Sequence, residues 1–189
     1  YQATGACAGD AGTMLTGLQR AAFPLAIAQT LTWASLYYSF PALLPTWQAA
    51  LGWSKSELSG AFTLALVVSA IAAPLAGSLI DRGYGRAVLA GGMVLGALLL
   101  VALPEVSEVW HFYLIWAGIG LAMSASLYEA CFTVITRVIG SQARQVITVV
   151  TLLGGFAGSL AFPAAHLMAE AFGWQAAVRI GAAVVLFVS

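Results

Sequence analysis

Two places in this 189-residue sequence put ionisable side chains where they could do chemistry. The first is a short stretch, residues 77–86, in which Gly77 and Gly85 flank Asp81 and Arg82, with Arg86 directly after. A carboxylate beside guanidinium groups forms charge-assisted hydrogen bonds, and these can exist in one conformation and be broken in another. Arg137, distant in sequence, is a further candidate partner for Asp81. The plainer reading is that these charges cap helix ends and fix their orientation. The second place is Glu129, beside Tyr128 within an apolar segment. An acid at membrane depth costs at least about 2.5 kcal/mol, so by default it has a task. Glu129 could bind a substrate group, carry a coupling proton or pair with a basic residue elsewhere. The alternative is a protonated carboxyl that only packs against a neighbouring helix.

A third group is aromatic and amide. Gln29, Trp33 and Tyr37 recur every four residues, which places them on one helical face. Such a face could line a cavity and orient a small organic molecule, or it could be an aromatic stripe that packs. His111 and His166 fall near segment ends without metal-like neighbours, and Cys7 and Cys131 lie far apart with no ligand spacing. No metal and no cofactor is therefore expected. A membrane enzyme would need a nucleophile, a metal cluster or a carboxylate pair at depth, and Glu129 has no such companion.

The elements that must hold these residues follow from composition. Hydrophobic residues make up 61% of the chain and charged residues 7%, against roughly 25% charged in a soluble domain. Lipid offers no partners for the backbone, so long apolar runs must be helical. Six such runs are predicted, over residues 21–47, 56–80, 86–103, 110–139, 145–169 and 174–189. Ser54 and Glu57 have the spacing of a capping box before the second, and Pro104 ends the third. Residues 1–19 read as a disordered cytoplasmic lead-in, with Met14 a candidate start and no signal-peptide layout. The sixth run stops without a break signal, so the bundle over 20–189 reads as cut there.

Seven basic and seven acidic residues cancel, leaving no basic field for nucleic acid. With the amino terminus inside, Arg20, Arg82, Arg86, Arg137 and Arg144 fall on the cytoplasmic side, and only Lys55 and Arg179 outside. Trp47, Trp53, Trp110 and Trp174 then form an aromatic belt at the outer boundary. Gly92 with Gly96, Gly154 with Gly158, and Ser69, Ala73 and Gly77 mark faces for close helix contact.

The stretch Gly77-Ser78-Leu79-Ile80-Asp81-Arg82-Gly83-Tyr84-Gly85-Arg86 resembles the signature loop of the major facilitator superfamily, G-x-L-x-D-R-x-G-R-R, between the second and third helices. Tyr84 stands where that pattern has Gly, and Gly85 replaces the first of its two terminal basic residues. The resemblance implies an all-α membrane protein, six transmembrane helices forming one half of the fold as a 3+3 inverted repeat, with a carboxy-terminal six-helix half as partner. It also implies a loop that latches the outward-facing state, and first and fourth helices that border the pathway. A small-molecule substrate and the lipid bilayer of the cell membrane are the remaining partners. Trp53-Ser54-Lys55-Ser56-Glu57-Leu58, Tyr128-Glu129-Ala130, and Gly155-Phe156-Ala157-Gly158 leading to Pro163 and Gly173-Trp174 look like the branch of monocarboxylate and oxalate/formate carriers. That likeness implies a small organic anion as substrate. No arginine lies at mid-depth in the six runs, so the partner of a substrate carboxylate would have to come from the other half. A non-transporting sensor or scaffold of the same fold is the alternative.

Overall fold

A helix that runs through residues 22–51 (α1) opens the computed structural model, which describes residues 22–189. Arg20, Cys7, the lead-in and the candidate start at Met14 lie outside the described residues. Pro24, Pro41 and Pro45 do not interrupt α1; instead a π-helical turn at Ala34–Tyr38 precedes Pro41. Pro41 has no N–H for the carbonyl four residues back and its ring crowds that carbonyl, and a widened turn is one way for a helix to absorb such a defect. Gly52, in the left-handed conformation, ends α1.

Helix α2, Lys55–Leu79, starts on the expected capping box: the Glu57 amide donates to the Ser54 hydroxyl at 3.2 Å and the Ser54 amide to Glu57 at 2.8 Å. A turn at Ile80–Tyr84 leads to α3, Gly85–Ala102, and a short 3-10 segment carrying Pro104 closes it. The fourth predicted run is in two pieces, α4 at Val109–Ser126 and α5 at Tyr128–Ile139. Leu127, with φ −85° and ψ −163°, is extended. No proline or glycine signals this break; Ser124 and Ser126 instead donate their hydroxyls to the carbonyls of Leu121 and Ala122, a competition that weakens a helix locally. The fifth run is also divided, into α6 at Ala143–Gly154 and α7 at Ala157–Phe172, where Gly154 and Gly155 adjoin. Helix α8 is Trp174–Val188.

Pairings along α4 set the directions. Gly60 faces Tyr113 and Gly120 faces Ala65, so α2 runs parallel to α4. Gly92 lies against Ala125 and Gly118 against Leu99, so α3 is antiparallel to it. Phe40 meets Trp116 at 4.8 Å and Trp47 meets Phe112 at 5.5 Å, so α1 is antiparallel as well. The centre is aromatic: Phe40 stacks on Phe62 at 4.5 Å, and Trp47 and Trp116 are fully buried. Trp47 and Trp174, expected in a boundary belt, are therefore core residues; each is paired edge-on across the cluster at 6.3 Å. Trp110, 57% exposed, keeps the belt character.

Among the described residues three helical runs are long and apolar enough to cross a membrane, Lys55–Glu105, Val109–Ile139 and Ala143–Phe172, and Trp174–Val188 is a shorter apolar helix. The first contains a reversal at Gly83, and α2 alone, at 25 residues, is about 37 Å long, against about 30 Å of hydrocarbon. Polarity is inverted relative to a soluble protein. Ile71, Leu75, Val138 and Phe187 are exposed, while Gln29, Thr30, Thr32, Ser124 and Ser126 are buried. Water would penalise that exterior heavily, and lipid does not.

The close contacts correct part of the small-residue reading. Gly92 does admit backbone, since a Cβ there would lie 3.0 Å from the Ala122 carbonyl. Gly154 and Gly158 instead make room for side chains, the rings of Tyr128 and Tyr38. On α2 the close approach is at Ala65, opposite Gly120, whereas Gly77 has nothing within 4 Å.

Candidate functional site

The π turn and the break at Leu127 build one site between them. The turn gathers Trp33, Tyr37 and Tyr38 instead of leaving only every fourth residue on one face. Trp33 lies 5.1 Å from Tyr37 and 6.1 Å from Tyr38, and its ring meets Tyr128 at 4.7 Å across the α1–α5 contact. Tyr128 in turn stacks on Phe132 at 5.1 Å, nearly parallel. An open cavity of about 230 Å³ is lined by Trp33, Tyr37, Leu66, Ser69, Leu127 and Glu129, among others.

Glu129 is thus not in the middle of a helix, as its sequence context suggests, but in the first turn of α5, with an exposed side chain. The unpaired N–H groups of a helix start favour negative charge there. The same break explains Gln29. This residue is fully buried, and its amide Nε2 donates to the Ser126 carbonyl at 2.9 Å, where α4 stops. Its Oε1 is buried without a partner, as is Trp33 Nε1. Gln29 therefore sits behind the cavity and braces the α4 end instead of lining it. The structure brings Trp33, Tyr37 and Glu129 to one cavity, and Tyr128 supports their wall. Leu66 and Met123 line the cavity without having been singled out; Ser69, read as part of a small-residue face, lines it as well, and Tyr38 and Phe62 pack against Tyr37 beside it.

The second candidate group lies just past the carboxy-terminal end of α2, beyond the cavity-lining residues Leu66 and Ser69. Arg137, near the end of α5, donates to the Asp81 carbonyl, and its Nη1 lies 3.8 Å from Asp81 Oδ1. Arg82 and Arg86 are exposed. The two loop glycines have different tasks. Gly83, with φ +99°, makes the reversal, a conformation open to glycine at little cost. Gly85 is helical and buried, and a Cβ on it would meet Val134 at 2.8 Å. The departure at Tyr84 and Gly85 thus preserves a turn, moved one residue upstream. Because Asp81 and Arg137 are 74% and 47% exposed, Arg137→Ala is expected to lower stability in detergent by less than about 1 kcal/mol. A larger drop in thermal unfolding would make the pair structural instead of switchable.

At the other end, Arg179 pairs with Glu105 at 2.7 Å and His166 with Glu170 at 3.2 Å. Among the described residues no three His, Cys, Asp or Glu side chains gather as a metal site would require. Cys131 is free and buried.

An all-helical chain with an apolar exterior, inward polar groups and helices of bilayer length is an integral membrane protein. Residues 25–189 match the family model of the Major Facilitator Superfamily, and the chain belongs to that family of membrane transporters. No curated protein and no solved structure matches it.

Proposed function

We propose that the chain is a six-pass half of a secondary transporter, its passes being α1, α2, α3, α4 with α5, α6 with α7, and α8. The passes form two three-helix repeats of inverted topology, and they rock against a second bundle around a midplane site. The alternation of direction from α1 to α4 supports this reading. The observation that carries the functional part is the cavity between Trp33, Tyr37 and Glu129, in which a lone carboxylate lies beside a helix break, in keeping with the interrupted helices at which such carriers bind. Asp81 and Arg137 act as the latch of one end state, and the arginines at that end support an amino terminus on the cytoplasmic side of the cell membrane. The organic anion expected from the sequence resemblance would need its basic partner from outside this cavity, whose one charged lining residue is Glu129.

The test is uptake by the full-length protein in proteoliposomes, over a panel of labelled monocarboxylates, amines and sugars, with and without a pH gradient. Saturable uptake is expected, and Glu129→Gln is expected to reduce its initial rate at least about tenfold, a difference of roughly 1.4 kcal/mol in barrier. Folded protein that moves no solute would leave a membrane protein without transport.

A further inference from the structure

The cavity also limits what it can hold. Its lining offers one carboxylate, Glu129, two hydroxyls, on Tyr37 and Ser69, and otherwise apolar or aromatic surface. Among the described residues no lysine, arginine or histidine lines it. Trp33 Nε1 is sealed off from solvent, so Trp33 presents ring carbon to the cavity and not a donor. Tyr128, packed 4.7 Å from Trp33, holds that ring in place from behind.

Aromatic faces carry negative electrostatic potential, and a carboxylate carries full negative charge. Both favour a cation, and both do so more strongly where water is partly excluded. An anion in the same space would meet Glu129 with no compensating donor but two hydroxyls. We infer that the Trp33–Tyr37–Glu129 cavity binds a small organic cation, an amine or quaternary ammonium group, with Glu129 as counter-ion and Trp33 and Tyr37 as its aromatic wall. This rests on the proposal that the cavity is the transport site, and names its substrate class. The substrate read from the sequence resemblance, a monocarboxylate, becomes an outcome of the test. A compact cation suits a cavity of about 230 Å³, and the open side leaves room for a polar substituent to meet the partner half.

Binding and transport are measured separately. Full-length protein in detergent is titrated calorimetrically with tetramethylammonium and choline, and in parallel with acetate and formate. The same preparation in proteoliposomes is assayed for uptake of labelled choline and formate. The ammonium ions are expected to bind and the carboxylates not. Glu129→Gln, an isosteric change at an exposed residue, is expected to weaken ammonium binding at least about tenfold, and Trp33→Leu about 3- to 30-fold. Trp33→Phe keeps an aromatic face and should lose less. Carboxylate binding without ammonium binding overturns the inference, as does binding of neither class. Ammonium binding indifferent to Glu129→Gln and Trp33→Leu also overturns it, because the cation then sits elsewhere. Formate uptake without ammonium binding removes the cation site and leaves the transport reading standing. Ammonium binding that responds to both substitutions, with no uptake of choline, supports the site and removes the transport reading.

Discussion

Gly120→Ala is expected to destabilise the helix bundle by about 3 kcal/mol, toward the upper end of what overpacking a helix contact produces. Gly120 is buried on α4, and a Cβ there would overlap the Ala65 carbonyl oxygen and approach its carbonyl carbon to 2.8 Å. The obstructing atoms belong to the backbone of α2. No rotamer change can clear them, so the two helices must separate along a contact that also carries Ala61 and Leu58, both fully buried. For the same reason no substitution at residue 65 can rescue the variant. Gly77→Ala is the control: nothing lies within 4 Å of that position, and replacing glycine by alanine inside a helix is worth about 0.8–1.0 kcal/mol in favour of alanine. Thermal unfolding of the purified variants distinguishes the two. A Gly120→Ala protein as stable as wild type would mean that α2 and α4 do not pack at this distance.

The contrast shows what could be read in the sequence and what could not. Helix positions were legible because lipid-spanning segments announce themselves by length and apolarity. The capping box at Ser54 and Glu57 was legible because it is local. The juxtaposition of Asp81 and Arg137 was legible in part, since the sequence offered Arg82 and Arg86 as partners as well and the structure pairs Asp81 with Arg137. Packing was not legible in the same way. Gly77 carries the family motif yet has room for a side chain, while Gly120, in no motif, lies against the backbone of α2. A four-residue recurrence of small residues says that something can come near, not whether it is backbone, as at Gly92, or a ring, as at Gly154. The break at Leu127 left no trace of the usual kind either. The carbonyl left at the break is met by Gln29 from 97 residues away, and no window along the chain contains both. That break is what turns Glu129 from a mid-helix acid into one at a helix start, facing a cavity.

Gly154→Ala is expected to destabilise by about 1–3 kcal/mol, but by a route that can be reversed. A Cβ at Gly154 would overlap the Tyr128 hydroxyl and lie 2.9 Å from its Cζ. Here the obstruction is the end of a side chain, though a rigid one, confined by Phe132 on one side and Trp33 on the other. Tyr128→Leu shortens that side chain, so the cost of Gly154→Ala should largely vanish in its presence. The expected coupling in the double-mutant cycle is about 1–2 kcal/mol, within the range for residues in direct contact. The same displacement should be visible in function. Gly154 does not line the cavity, but it positions Tyr128, and Tyr128 backs the Trp33 ring that does. Gly154→Ala should therefore raise the KM for uptake several-fold, whereas Gly158→Ala, whose Cβ would meet only the Tyr38 ring at 3.2 Å, should change it less. Equal effects of the two substitutions, or additive energies in the cycle, would mean that the cavity wall is not held through Tyr128. In that case Trp33 would owe its position to α1 alone, and the aromatic panel would be packing and not part of the binding surface.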